Sequence, residues 1–326
     1  MALHDPERFL QEGRDQLELA AIPVFERLGD KQGLAKAWHL LAYLEWIRGR
    51  LTVAGAAAEK AQAFAREARD PYWEATILGL HCLILYWGPT PLDEVQRRNQ
   101  EVLAEARRIG MRALEANALT VLARIGALRG DLDGARELVR SATAITEDLG
   151  ESLTKATDCI SQALIELLDD QLPAAEDMLR GGDRELERMG GVGPRVAIAA
   201  LLARVVLLQG RNEEAEEVTR ACERLAPADQ REAQAKWRSV RAIALARRGD
   251  TEEAERLARD AVYQANKTDQ LDSRAEARVD LAEVLGLAGR SGEAARELER
   301  AITLYREKGN DVGEMNARRL LARVRH

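Results

Sequence analysis

Residues Leu281–Ala301 read LAEVLGLAGRSGEAARELERA, and this stretch decides the fold. A run of helix formers ends in glycine and a polar residue, and a second run of helix formers begins at once, so the stretch describes two helices joined by a tight turn. The same step, glycine then a polar residue, recurs at Gly49-Arg50, Gly130-Asp131, Gly210-Arg211, Gly249-Asp250 and Gly289-Arg290. Asp170-Gln171 fills the slot without glycine, and Gly88-Pro89-Thr90-Pro91 supplies the remaining turn, which gives a mean period of 40 residues. A fixed period of that size is the signature of a repeat array.

Alanines keep the same register. Seven residues before the turn stand Ala42, Ala123, Ala163, Ala203, Ala242 and Ala282; five after it stand Ala54, Ala135, Ala175, Ala215, Ala254 and Ala294. With 55 alanines in 326 residues, composition alone does not fill twelve slots of twelve. Two helices that cross beside a tight turn need a methyl-sized residue at their closest approach. Twelve residues after the turn the side chain is small again, at Ala61, Ala142, Gly182, Cys222, Ala261 and Ala301, which predicts packing against the next repeat. Eight before it, Leu41, Leu122, Leu202 and Leu281 belong to the core, and Arg241 breaks the rule with a stem long enough to lie over it. Asp131 and Asp250 are expected helix N-caps, and Ile109-Gly110, Leu149-Gly150 and Lys308-Gly309 are expected helix ends.

The chain therefore reads as all-α, a solenoid of about seven helix pairs plus terminal helices. The array is expected over 32–310, with 311–326 as a C-terminal capping helix and 1–31 as a partial repeat or capping helix. Leu17 to Gly29 resembles the second helix of a pair without its first, so the array is expected to begin mid-repeat.

Several function classes are excluded on composition. Net charge is −7 with acids and bases interleaved, so no basic field meets a phosphate backbone and no direct nucleic-acid partner is expected. No apolar run approaches the ~20 residues of a membrane span, and the charged start, Met1 to Arg14, is unlike a secretory leader, so a cytoplasmic protein without membrane contact is expected. Cys82, Cys159 and Cys222 lie far apart and are expected as buried small hydrophobes. With four histidines and neither a His-Glu-x-x-His nor a Cys-x-x-Cys motif, the reading is of no catalytic residues, no metal and no cofactor. Gly190 to Pro194 falls where a loop between repeats is due, and His81 sits in an apolar helical run as a core histidine. The acid pairs Glu213-Glu214 and Glu252-Glu253 suit the positive end of a helix.

Leu281-Ala282, Leu285, Gly289, Ala294, Leu298 and Ala301 resemble the tetratricopeptide repeat signature, as do Leu122-Ala123, Gly130, Ala135 and Ala142. The resemblance covers nearly the whole chain and implies a right-handed α-α superhelix. It departs from the 34-residue form of that repeat in lacking the proline that ends the second helix, as at Arg306, and in running that helix on by about a turn and a half. Long repeats of this kind are similar to the carboxy-terminal arrays of bacterial multidomain regulators, among them signal-transduction ATPases with numerous domains and adenylate cyclases with an ATPase module. The segment from Arg241 through Tyr305 resembles them most.

In the resembled fold the first helix of each pair lines the concave face. Positions ten, six and three before the turn glycine share one helical face and give His39, Tyr43 and Trp46 in the first repeat. Thr120 and Arg124, with Asn117 one turn earlier, come from the third repeat, Arg204 from the fifth, and Lys236 with Ser239 from the sixth. These are the candidate contacts for a protein or peptide partner or a small effector. They do not reproduce the carboxylate clamp of chaperone-binding members. Ten of thirteen aromatics precede residue 91, which marks the first repeats either as a contact surface or as a less regular core. The functional expectation is a non-catalytic interaction scaffold or sensor in a bacterial signalling system; the alternative is an architectural spacer or self-association arm.

Overall fold

The structure is a computed structural model that describes residues 6–150, 152–190 and 192–325, and the side chains of 11–150, 157–190 and 194–325. Among the described residues all regular structure is helical. A first helix, α1 (Pro6–Gln16), runs through a π turn (Leu17–Ala21) into α2 (Ile22–Leu28). The chain is thus already helical at Pro6, and Leu17 lies inside that helix rather than at the start of a new one. Seven helix pairs follow. They are α3 (Lys31–Ile47) with α4 (Leu51–Glu67), α5 (Pro71–Trp87) with α6 (Leu92–Ile109), α7 (Arg112–Leu128) with α8 (Leu132–Asp148), and α9 (Ser152–Leu168) with α10 (Leu172–Arg188). The last three are α11 (Val192–Leu208) with α12 (Asn212–Leu225), α13 (Arg231–Arg247) with α14 (Thr251–Ala265), and α15 (Leu271–Leu287) with α16 (Ser291–Lys308); α17 (Asp311–Arg325) closes the order.

The alanine register becomes the packing. All twelve alanines at the two turn-flanking positions are buried, most of them completely, and so are the six small residues twelve after the turn. Each pair therefore touches through methyl groups beside its turn, and each second helix packs on the next repeat. Except at Gly88, which is extended, the turn residue takes a left-handed conformation, φ 87° at Gly130, and Asp170 adopts φ 58° in the slot without glycine, which a short polar side chain tolerates. Asp131 accepts from the Gly134 amide at 3.0 Å, as a cap should. Asp250 occupies the cap position of α14 without a side-chain bond to it, contrary to expectation. Of the loop expected over 190–194, Gly190 turns at φ 71° and Val192 to Pro194 belong instead to the first turn of α11, while Gly191 lies outside the described residues. The three cysteines are buried, and burial pushes each thiol up to about 12.

The superhelix is tight enough to meet itself. Asp269, in the loop before α15, accepts from the amides of Leu51 (2.8 Å) and Thr52 (2.7 Å) and from the Thr52 hydroxyl (2.6 Å), so it caps the N-terminus of α4 from 218 residues away. The Asp269 amide donates to the Gly49 carbonyl at 3.3 Å. Approach here is so close that a Cβ on Gly49, already at φ 75°, would stand 2.6 Å from Thr268 Cγ2. On the next repeat Lys308, at the end of α16, donates to the carbonyls of Gly88 (2.7 Å), Thr90 (2.8 Å) and Leu85 (3.5 Å). Arg48 pairs with Asp229 at 3.8 Å between these repeats. A separation of 218 residues is about five and a half repeats, so the first two repeats close against the last two along one seam.

Candidate functional site

Closure turns the concave face into an inner chamber. The side chains six before the turn glycine, Arg124 on α7 and Arg204 on α11, point into it. Those thirteen and seventeen before it, Lys236 and Glu232 on α13 and Glu276 and Asp272 on α15, share the same helical face. Asp280 adds another carboxylate on α15. Across the seam, Tyr86 and Trp87 end α5 and stand edge to face, 5.0 Å apart.

These groups form one electrostatic set. Arg204 grips Asp280 through both guanidinium nitrogens, one at 2.8 Å. Burial opposes the Arg204 charge, but Asp280 holds its pKa above the ordinary value. Lys236 donates to Glu232 at 2.6 Å. Burial works against that pair too, yet each partner keeps the other charged, raising the lysine and lowering the glutamate. Glu276 is exposed, but protein crowds it on several sides, and that partial loss of water, with Asp272 and Asp280 beside it, pushes its carboxyl up to about 7. Asp272 is raised by burial against the pull of its bond from Asn310.

Arg124 is the exception among the cations. The residue is only 9% exposed, and no carboxylate lies within ion-pairing distance of it among the described residues. Its Nε donates to the Ser161 hydroxyl at 2.9 Å, and its plane rests 5.4 Å from the Trp87 ring centre and 5.8 Å from that of Tyr86. Lys236 approaches the same Trp87 ring at 5.7 Å, although 112 positions separate the two cations in sequence. Burial lowers the Arg124 pKa, partly countered by Tyr86, Asp158 and Glu232.

Arg124, Arg204 and Lys236 thus converge. The other candidates do not. Ser239 is buried at 2% exposure, because its small side chain lies in the packing of α13, and it offers no donor to a ligand. Thr120 turns its hydroxyl back to the Ala116 carbonyl at 3.0 Å. Asn117 packs on α5, its amide nitrogen 2.9 Å from where Gly79 would carry a Cβ. His39 lies edge-on to Trp73 at 5.4 Å and Tyr43 edge-on to Trp46 at 5.7 Å, a separate aromatic group on α3 and α5. Trp38, Trp46, Phe64 and Trp87 pack partly against the first core, whereas Tyr43 and Tyr72 are exposed, so the early aromatics divide between core and surface.

Sequence reasoning missed Glu232, Asp272, Glu276 and Asp280, although three of them sit at the offsets that the face rule generates when it is extended by one turn. Lys308 gave no signal, since a base beside a C-terminal glycine is ordinary.

By sequence the chain matches no family profile and no curated protein. Among solved structures it is similar to a Rap protein complexed with competence and sporulation factor, with a TM-score of 0.67, 14% identity and coverage of 97% of this chain and 86% of that one. The apo form of RapI gives 0.59 and 13% over 84% of this chain and 98% of that one. BtubC from P. vanneervenii gives 0.50 and 16% over 65% and 90%. The fold is a tetratricopeptide-like helical solenoid. At these identities the likeness concerns fold alone, and function is argued from the chamber.

Proposed function

We propose that the chain is a non-catalytic binding scaffold that takes a peptide segment or a small effector in its inner chamber, as the sensor or scaffold of a bacterial signalling system. The observation that carries this reading is Arg124. A mostly buried arginine beside two aromatic rings with no ionic partner leaves its terminal nitrogens free of any protein hydrogen bond among the described residues, and an incoming carboxylate or peptide carbonyl would supply what it lacks. Arg204 and Lys236 continue the polar wall, and the His39, Tyr43 and Trp46 group offers aromatic contact where the ligand leaves the chamber. That a Rap protein of similar fold is complexed with competence and sporulation factor supports a bound ligand as the role of this solenoid.

The test is affinity selection from a random hexapeptide library, followed by binding of the selected peptides to variants. Arg124→Ala and Lys236→Ala are expected to weaken binding roughly tenfold or more, and Tyr43→Ala less. Arg256→Ala, on the outer face of α14, is expected to leave it unchanged. Affinity that survives both chamber substitutions would remove the chamber from consideration.

Exposed Leu19 in the π turn and Val24 and Leu28 on α2 favour a second reading, an arm that self-associates. Sedimentation of the purified chain decides it: a strict monomer at high concentration rules it out.

A further inference from the structure

The seam differs in kind from every joint between neighbouring repeats. Neighbours share apolar clusters: one runs continuously from Cys159 to Ala317, another from Leu17 to Ile84, a third from Ala75 to Leu128. Among the described residues none of the apolar clusters joins the first two repeats to the last two. Polar contacts cross instead, the Arg48–Asp229 pair and the Asp269 amide on Gly49 among them, and the main ones are two charged caps that complement a helix end by sign: Asp269 on the amides that open α4, and Lys308 on carbonyls at and just past the end of α5.

These caps are close to balance. Lys308 is fully buried, and its ammonium is held by carbonyls with no carboxylate within ion-pairing distance among the described residues. Closing the seam gains those bonds but strips the charge of water, and opening it returns the water. Asp269 keeps part of its surface wet, so its bonds to Thr52 also exchange for water at little loss. A joint with little apolar contact beyond Thr268 on Gly49 and Gly309 on Leu92, held mainly by charge against dehydration, is the part of this solenoid best suited to two states.

We propose that the seam is a latch: Asp269 and Lys308 release together, the first two repeats swing away from the last two, and the chamber opens to admit its ligand. The chamber walls lie on both sides of this seam, Trp87 facing Lys236 and Tyr86 facing Lys308 at 5.9 Å, so whatever sits between them holds the latch shut. Only that last step rests on the chamber being the ligand site; the latch itself is tested without ligand.

The test combines amide hydrogen exchange with a reversible lock in the full chain. Asp269→Ala is expected to speed exchange at least tenfold both in residues 50–53, which it caps, and in residues 86–92 at the other cap. Lys308→Met is expected to do the same in reverse. Acceleration confined to the substituted end overturns the latch. Because either variant could fold poorly, a second arm replaces Thr52 and Asp269, hydrogen-bonded to each other at 2.6 Å, by cysteines. Oxidised, Thr52→Cys/Asp269→Cys is expected to slow exchange in 86–92 and to cut labelling of Lys236 by a bulky amine-reactive ester at least fivefold, both restored by reduction. Labelling and exchange that ignore the lock overturn the proposal. A latch that passes these tests in a chain that selects no peptide leaves the latch standing and removes the peptide reading.

Discussion

The joint between α11 and α12 and the seam between α4 and the α15 loop both bring helices together, by opposite means. At the first, Ala203 and Ala215 are wholly buried in a continuous apolar cluster, and nothing larger than a methyl group fits between the helices. At the second, carboxylate meets amide and ammonium meets carbonyl, with no apolar cluster in common. Local joints, formed between residues 12 positions apart, fix the shape of each repeat; the seam, formed across 218 residues, fixes the shape of the whole. One kind of contact makes the array and the other closes it.

If that division is right, enlarging a register alanine is the most damaging single change. Ala215→Leu inserts three carbons where α11 and α12 touch, and the expected loss is about 3 kcal/mol, as for overpacked cores, seen as a lowered thermal midpoint by far-UV circular dichroism. Asp269→Ala removes a cap and is expected to cost about 1 kcal/mol, with a smaller shift of that midpoint. A larger loss for Asp269→Ala than for Ala215→Leu would reverse the comparison and make closure, not repeat packing, the principal source of stability.

The same contrast explains how much the sequence disclosed. A repeat joint depends on residues that recur at fixed offsets from a turn, so Ala42 through Ala294 announce it in any one stretch of the chain. The seam depends on Asp269 and Lys308, single residues without counterparts in other repeats, and on a superhelical pitch that accumulates from small rotations per repeat. Pitch leaves no local mark. The chamber is intermediate: Arg124, Arg204 and Lys236 were legible because they obey the face rule, while Ser239 obeys it and is buried all the same. Glu276 and Asp272 followed the rule one turn beyond where it was applied, and Trp87 joined the chamber only because closure carried Lys236 to its ring.

Arg124 gives a prediction of opposite sign to the first two. Replacing a buried charge that has no ionic partner by an apolar side chain of similar length is expected to stabilise the unliganded chain, so Arg124→Met should raise the thermal midpoint, by the equivalent of up to about 1 kcal/mol. A fall of that size instead would show that the bond to Ser161 and the two rings satisfy the guanidinium by themselves, and would place Arg124 with the structural joints.

Glu276 supplies the smallest effect and the one most specific to the closed state. Partial loss of water, with Asp272 and Asp280 adjacent, raises its carboxyl to about 7 in the folded chain, against the opposing pull of Lys236 and Arg204, whereas the unfolded carboxyl keeps the ordinary range. Between those two values the native state binds the extra proton, so this group's contribution is complete below the ordinary carboxylate range and is lost as pH rises through about 7. Glu276→Gln, which stays neutral, should therefore gain on the parent chain as pH rises from about 5 to about 8, measured as the difference between their urea midpoints. The gain should shrink in Asp269→Ala, because an opened seam returns water to the α15 face. A pH-independent difference would mean that Glu276 is solvated in the closed ring; a pH-dependent one that Asp269→Ala leaves intact would mean that α15 alone crowds it, without the walls that closure brings.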